Sequence, residues 1–217
     1  MSRRLKFMAY FDELTQDRQK CPTGDLASVI ANGMPGGHVM GDAERLWYYI
    51  IVATAGHDTT SFALSGGLEA LLRSPDQLWA MRDEPALAAN AAEEIIRWTT
   101  PVRHFMRYAT RPTSVEGFDV AEGGRVLLCY PSANRDEEVF SDPDRFDIGR
   151  TDADRLLSFG YGTHFCLGAH VARREIRAII TRLADQLEHI EPAGPAEWVS
   201  AYFVSGVKHL PIRYRFT

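Results

Sequence analysis

The chain reads as a mainly helical fold with small β elements. Three observations predict it. Apolar residues recur at helical spacing over 1–20, 43–72, 86–98 and 167–188. Strand patterns are short and confined to 102–128 and the tail. Internal repeats and low-complexity linkers are absent, and 217 residues suffice for one domain or two small ones.

The elements follow in order. Leu5, Met8, Phe11 and Leu14 make 1–20 a short amphipathic helix. Pro22, Gly24 and Asp25 interrupt it, 26–31 forms another short helix, and 32–37 is turn-rich. Asp42 is placed to cap a long helix over 43–72, which stops at Ser74-Pro75. Gly56, Gly66 and Gly67 weaken that helix. Its core half is apolar on nearly all sides, which predicts burial through the centre of the protein. Pro75 and Pro85 start further helices. The second of these covers 86–98, and Pro101 ends it. Short strands and turns occupy 102–128, an irregular charged stretch 132–155, and a glycine-bearing loop 160–168. A strong amphipathic helix covers 167–188, and 199–216 reads as a β-hairpin or paired strands.

Composition narrows the function. A net charge of -5 argues against general nucleic-acid binding. The longest apolar run, 46–56, is about half of a membrane span, and the apolar stretch 5–10 is too short for a secretory signal. These features predict a cytoplasmic protein without membrane contact. Cys21, Cys129 and Cys166 are odd in number and form no Cys-x-x-Cys pair. That disfavours a disulfide scaffold or a structural zinc site and makes a reducing compartment the default.

One cysteine invites chemistry. Cys166 lies in Phe159-Gly-Tyr-Gly-Thr-His-Phe-Cys-Leu-Gly168, just ahead of a helix, where the dipole and free N–H groups favour a thiolate. Gly160, Gly162 and Gly168 allow the backbone to approach a flat partner. Other readings stand beside this one: a buried structural cysteine, or a nucleophile paired with His164. A phosphate loop is a third, but the glycine spacing fits neither common pattern.

The other patterned segments also carry two readings. In Ala55-Gly-His-Asp-Thr-Thr60, Ile51, Ala55 and Thr59 share one helix face. Asp58 in an apolar helix is costly unless it has a partner or a task, and Ala55 and Gly56 leave room for a diatomic ligand. Asp-Thr-Thr alone is an ordinary packing motif. Glu94-Ile-Ile-Arg97 has the i, i+3 spacing of an exposed ion pair.

Taken together, Phe159-x-x-Gly162-x-His164-x-Cys166-x-Gly168, Ala55–Thr60, Glu94-x-x-Arg97 and Pro143-Asp-Arg145-Phe resemble the cytochrome P-450 superfamily. The resemblance implies the C-terminal half of that fold, with 1–217 as the haem-binding portion of a single domain. It implies haem b, with Cys166 as iron ligand and Ala55, Arg107, Phe159, Gly160, His164 and Gly168 around the group. Arg107 and His164 would bind the propionates. Asp58 and Thr59 would deliver protons in catalysis. Glu94, Arg97 and Arg145 would form a buried structural triad. Ile51, Thr54, Val102, Phe105, Phe203 and Val204 would face the substrate.

The implied activity is a monooxygenase that inserts one oxygen atom of O2 into a C–H bond of a small apolar substrate. Electrons would come from a ferredoxin and its NAD(P)H-dependent reductase. Arg173, Arg174 and Arg177 offer a basic patch for an acidic ferredoxin. The stretch from Tyr130 to Ile148, the central helix segment and Arg97-Trp-Thr-Thr-Pro-Val resemble the bacterial terpineol-oxidising branch, which implies a terpenoid or alkyl-aromatic substrate. The family's N-terminal half has no counterpart, so a companion chain or missing segment is expected. Trp47, Tyr48, Tyr49, Phe62 and Leu64 should lack cover without it. The alternatives are an inactive or incomplete fragment, or a haem fold with non-oxygenase chemistry.

Overall fold

The structure is a computed structural model that describes residues 3–217, with side chains from residue 6 onward. It divides into two compact units, Met1–Asp58 and Thr59–Thr217, whose boundary falls inside the longest helix.

In the first unit, α1 (Arg3–Lys20) and α2 (Leu26–Ala31) precede the start of α3 (Asp42–Arg73). The expected helix over 1–20 is present, with Met1 and Ser2 outside the described residues. Asp25 caps α2, accepting the Ser28 N–H at 2.7 Å and the Arg18 Nε–H at 2.8 Å. Arg18 and then Ser28 hold its carboxyl well below the usual carboxylate range. Asp42 is the first helical residue of α3 instead of its cap, because its carboxylate is taken by the Arg45 guanidinium at 2.6 Å. Tyr49 is buried: it stacks on Phe11 with ring centroids 4.7 Å apart and donates to the Ala27 carbonyl at 3.2 Å. The expectation that Tyr49 would lack cover is thus corrected, while Trp47 and Tyr48 do stay exposed. The predicted central burial of α3 fails here. Ile51 is 55% exposed and residues 53–58 are exposed, so this apolar stretch is not buried.

The second unit holds the rest of α3, then α4 (Pro75–Asp83), α5 (Leu87–Thr99), β1 (His104–Tyr108), β2 (Thr113–Val115), β3 (Phe118–Val120), β4 (Arg125–Cys129) and α6 (Tyr130–Ala133). They are followed by α7 (Ala169–Gln186), β5 (Leu187–Pro192), β6 (Glu197–Trp198), β7 (Val207–His209) and β8 (Ile212–Phe216). The strands pair antiparallel in twos: β1 with β4, β2 with β3, β5 with β8 and β6 with β7. The tail therefore does not pair with itself as a hairpin; β8 returns to the strand that leaves α7. Among the described residues no helix is long and apolar enough to cross a membrane.

The core forms where α5 meets α4 and α7. Ala88, Ala91, Ala92, Ile95 and Ile96 supply the apolar face of α5, against Leu78 and Met81 of α4 and Ile176, Ile180 and Ala184 of α7. The small residues of α5 let these helices come close, and its apolar spacing follows the 3.6-residue period. Thr100 ends α5 in the left-handed region (φ 38°), with its hydroxyl donating to the Arg97 carbonyl and Pro101 following.

The glycines of α3 explain themselves at this contact. A Cβ on Gly67 would lie 2.6 Å from Ile95 Cγ2, and one on Gly66 2.8 Å from Thr99 Cγ2. Glycine costs a helix interior about 1 kcal/mol relative to alanine. Overpacking a filled core costs about 1–3 kcal/mol, and buried Ile95 is β-branched and stiff. Gly67→Ala is therefore expected to lower the melting temperature despite the better helix former. A rise in melting temperature would show that Ile95 yields without cost.

Candidate functional site

The cysteine loop is built by its glycines. Gly160 (φ 71°) and Gly162 (φ 70°) take left-handed conformations that side chains resist. A Cβ on Gly160 would lie 3.4 Å from Tyr130 Oη and 3.5 Å from the His164 carbonyl oxygen. The Cys166 N–H donates to the Phe159 carbonyl at 2.9 Å and closes the loop. A single helical turn, Gly162–His164, lies inside it, with the Phe165 N–H on the Gly162 carbonyl. The Cys166 carbonyl accepts the Ala169 N–H at 3.3 Å, and Gly168 precedes α7. Cys166 is exposed, so the reading of a buried structural cysteine does not hold. His164 is exposed as well, as are Phe165 and Leu167 beside the thiol.

Behind the loop, α5 carries a buried polar network. Glu94 and Arg97 are both fully buried and joined by two hydrogen bonds, Nε to Oε2 at 2.6 Å and Nη2 to Oε1 at 2.9 Å. The pair is thus buried and not an exposed ion pair. The expected third member is corrected. Arg145 is exposed and joins only through its carbonyl oxygen, which accepts from Arg97 and Arg150. Arg150 supplies the guanidinium instead. It is 7% exposed, with Nε 3.2 Å from Glu94 Oε2, although out of line for a hydrogen bond. The physical reason lies in the turn: the Arg145 N–H is bound to Asp142 O, while Arg150 Nη1 and Nη2 reach back to the Ser141 and Asp142 carbonyls. Asp152 faces Arg150 at 3.2 Å. Burial pushes its carboxyl up, but the Ser141 N–H and Arg150 outweigh this and hold it below the ordinary value.

The neighbour of Glu94 makes a second link. Glu93 receives two hydrogen bonds from Arg173 of α7, at 2.6 and 3.0 Å, and the Arg173 guanidinium sits 4.6 Å over the Phe159 ring. Arg173 is therefore latched onto the site and withdrawn from the expected basic patch, while Arg174 and Arg177 stay exposed. Neither Arg150 nor the Glu93–Arg173 latch is marked by spacing. The nearest signal is that Arg150 is the next arginine after the Pro-Asp-Arg-Phe element.

Four of the expected substrate residues come together. Val102 and Val204 form an isolated antiparallel bridge, and the Arg103 N–H donates to the Phe203 carbonyl at 2.9 Å. The Phe105 and Phe203 rings lie 5.3 Å apart, edge to face, and Phe105 lies 6.2 Å from Tyr130, which backs Gly160. Both phenylalanines are nearly half exposed. Among the described residues Arg107 of β1 donates to its neighbour's carbonyl, Met106 O, which leaves further N–H groups for an anion.

In the first unit, Ile51, Thr54, Ala55 and Asp58 lie along the exposed stretch of α3. The Thr54 hydroxyl donates to the Ile50 carbonyl at 2.7 Å, so it keeps only acceptor capacity for a ligand. Asp58 Oδ1 is 3.9 Å from His57 Nε2, both groups in solvent. Thr59 begins the second unit.

The donor set fits a haem. An exposed soft thiol stands on a glycine-built loop, exposed Phe165 and Leu167 flank it, and Arg107 and His164 offer cationic or donor groups suited to carboxylates.

Comparison with known proteins agrees with this geometry. The sequence profile of the family described as Cytochrome P450 matches residues 10–197. Cytochrome P450-terp of Pseudomonas sp is 45% identical over 208 residues, which is 96% of this chain and 48% of that protein. A steroid C26-monooxygenase of Mycolicibacterium smegmatis is 39% identical over 94% of this chain and 52% of its own length. The crystal structure of CYP108D1 from Novosphingobium aromaticivorans superposes with a TM-score of 0.92 at 43% identity, covering 98% of this chain and 52% of that one. The chain thus spans about half the length of the relatives it matches.

Proposed function

The chain belongs to the cytochrome P450 family, and on that premise we propose that it is the thiolate-bearing, C-terminal half of a monooxygenase acting on a small apolar substrate. The observation that carries the proposal is the exposed Cys166 thiol on a loop closed by its own N–H and backed by a buried Glu94–Arg97–Arg150 network.

Haem b, when bound, would supply the O2-activating chemistry, to which a thiolate ligand would lend electron density. Cys166 Sγ would bind the iron. Arg107 and His164 would hold the propionates by charge-assisted hydrogen bonds. Ala55, Phe159, Gly160 and Gly168 would lie against the ring. Thr59 would hold a proton at its Oγ1 for the reacting oxygen, and Asp58, whose carboxylate stands in solvent, would replace that proton. Electrons would come from NAD(P)H through a ferredoxin and its reductase. Arg174 and Arg177 are the exposed cations of α7 left to meet an acidic partner.

The exposed apolar stretch of α3 and the exposed side chains of Phe105, Phe165 and Leu167 support a companion segment or chain that covers the haem. On this reading the chain alone binds haem weakly. Val102, Phe105, Phe203 and Val204 are uncharged, and an unpaired buried charge is expensive, which favours a compact apolar substrate. We take a terpenoid or alkyl-aromatic as that substrate, a reading that likeness to the relative named Cytochrome P450-terp supports on its terpenoid side.

The test uses the haem-loaded enzyme completed with its covering half. Thr59→Ala is expected to keep the substrate-induced spin shift. Because a positioned proton donor contributes about 10²–10⁴-fold, product per NAD(P)H should fall by roughly tenfold or more, with peroxide making up the difference. Unchanged coupling would refute the proton role. Spin shifts confined to fatty acids or steroids, across a panel that also holds terpenoids and alkylbenzenes, would refute the substrate class.

A further inference from the structure

Asn134, which follows α6, is a completely buried amide in an otherwise irregular stretch. Its Nδ2 donates to Thr100 Oγ1 at 2.8 Å and to Ser158 Oγ at 2.7 Å. Its Oδ1 accepts the Leu157 N–H at 2.7 Å, and its carbonyl oxygen accepts from Arg97 Nη1 at 2.7 Å. Each hydroxyl has one proton, and both are committed elsewhere. Thr100 donates to the Arg97 carbonyl at 2.6 Å and Ser158 to the Ile96 carbonyl at 2.9 Å. Both hydroxyls therefore turn lone pairs toward Asn134, and the orientation of its amide is forced. An aspartate here would set lone pairs against lone pairs in a buried site, and a leucine would satisfy none of the three partners.

These bonds tie the last turn of α5 to Leu157 and Ser158. The next residue is Phe159, whose carbonyl receives the Cys166 N–H. We propose that Asn134 is a positioning residue for the thiolate: it locks the chain entering the cysteine loop onto α5, and thereby keeps the Cys166 amide on the Phe159 carbonyl. The proposal rests on the reading of Cys166 as iron ligand. Fixing the Cys166 backbone fixes the origin from which Sγ must reach the iron, and a ligand must be held to within about 0.5 Å of its productive position.

The test uses the complete haem-loaded enzyme in five forms beside the wild type. Asn134→Asp removes both donors, Ser158→Ala removes one acceptor, and Thr100→Ser keeps the hydroxyl. Leu78→Val loosens the same core from α4, and Cys166→Ser removes the ligand. In Asn134→Asp, exchange of the Cys166 amide should quicken by about tenfold or more, since local opening is what the lock prevents. The share of the ferrous CO complex with a thiolate-type Soret band should fall with it. Ser158→Ala should move both readouts less, in the same direction, and decides the matter alone should Asn134→Asp not fold. Thr100→Ser should match the wild type. Leu78→Val should lower the melting temperature and leave both readouts still. If Asn134→Asp and Ser158→Ala behave like Leu78→Val, Asn134 is structural only and the proposal is overturned. A thiolate-type band that survives Cys166→Ser would overturn the ligand assignment and the proposal with it.

Discussion

Glu94→Ala is expected to destabilise the fold by about 3–5 kcal/mol, the usual effect of removing one partner from a buried ion pair. Small domains are stable by only about 5–15 kcal/mol, so the variant should be largely unfolded or recovered only in the cold. Glu94 serves four groups at once: Arg97 Nε and Nη2, the Asp147 N–H at 2.9 Å, and the Arg150 guanidinium. Without it Arg97 keeps only carbonyl partners, on Asn134, Pro143 and Arg145. Arg150 keeps Asp152 and three carbonyls. The uncompensated charge is therefore that of Arg97, which has no exposure through which to reach water. The same geometry makes Arg145→Ala nearly neutral, within about 0.5 kcal/mol, because only its backbone enters the network. Urea unfolding of Glu94→Ala, Arg150→Ala and Arg145→Ala side by side is the measurement. A large loss for Arg145→Ala with none for Arg150→Ala would restore the assignment that the family resemblance implies and contradict the structure.

That contrast shows what the sequence carries and what it does not. The i, i+3 spacing of Glu94 and Arg97 marks a pair but reads as an exposed one, and only the family resemblance implies its burial. Arg145 and Arg150 lie in an irregular stretch, where no period says which side chain turns inward. The turns at Asp142 and Asp147 decide it. The helices were legible because apolar spacing and proline punctuation are local. The pairing of β8 with β5 was not, since alternation marks a strand without naming its partner. Apolar periodicity in α3 likewise reports that cover is needed, not that it is present, so Ile51 reads as buried and is exposed. Gly66 and Gly67 read as a cost to the helix. Their benefit, close approach to Thr99 and Ile95, exists only in three dimensions. At the site, the cysteine loop was legible because its glycines are required by backbone conformation. Asn134 and the Glu93–Arg173 latch were not, because each serves partners far away in sequence.

Cys166→Ser is expected to abolish the thiolate-type Soret band of the CO complex, weaken haem retention and eliminate turnover in the completed enzyme. The substitution exchanges sulfur for oxygen at one exposed atom. The backbone bonds of the loop, Cys166 N–H to Phe159 O and Cys166 O from Ala169 N–H, do not involve the side chain and should persist. An exposed change of this size alters folding stability by about 0.5 kcal/mol or less, so loss of the band will not be an effect of unfolding. What changes is the donor. Sulfur is the softer donor and the one that pushes electron density onto iron, which an alkyl alcohol does not do. Two further exposed thiols provide the controls. Cys21→Ser alters the segment just after α1, and Cys129→Ser the end of β4 opposite His104. Both should keep the band, because neither residue lies in a glycine-built loop ahead of a helix. Retention of the band in Cys166→Ser together with its loss in Cys129→Ser would move the ligand to β4 and take the cysteine loop out of the site.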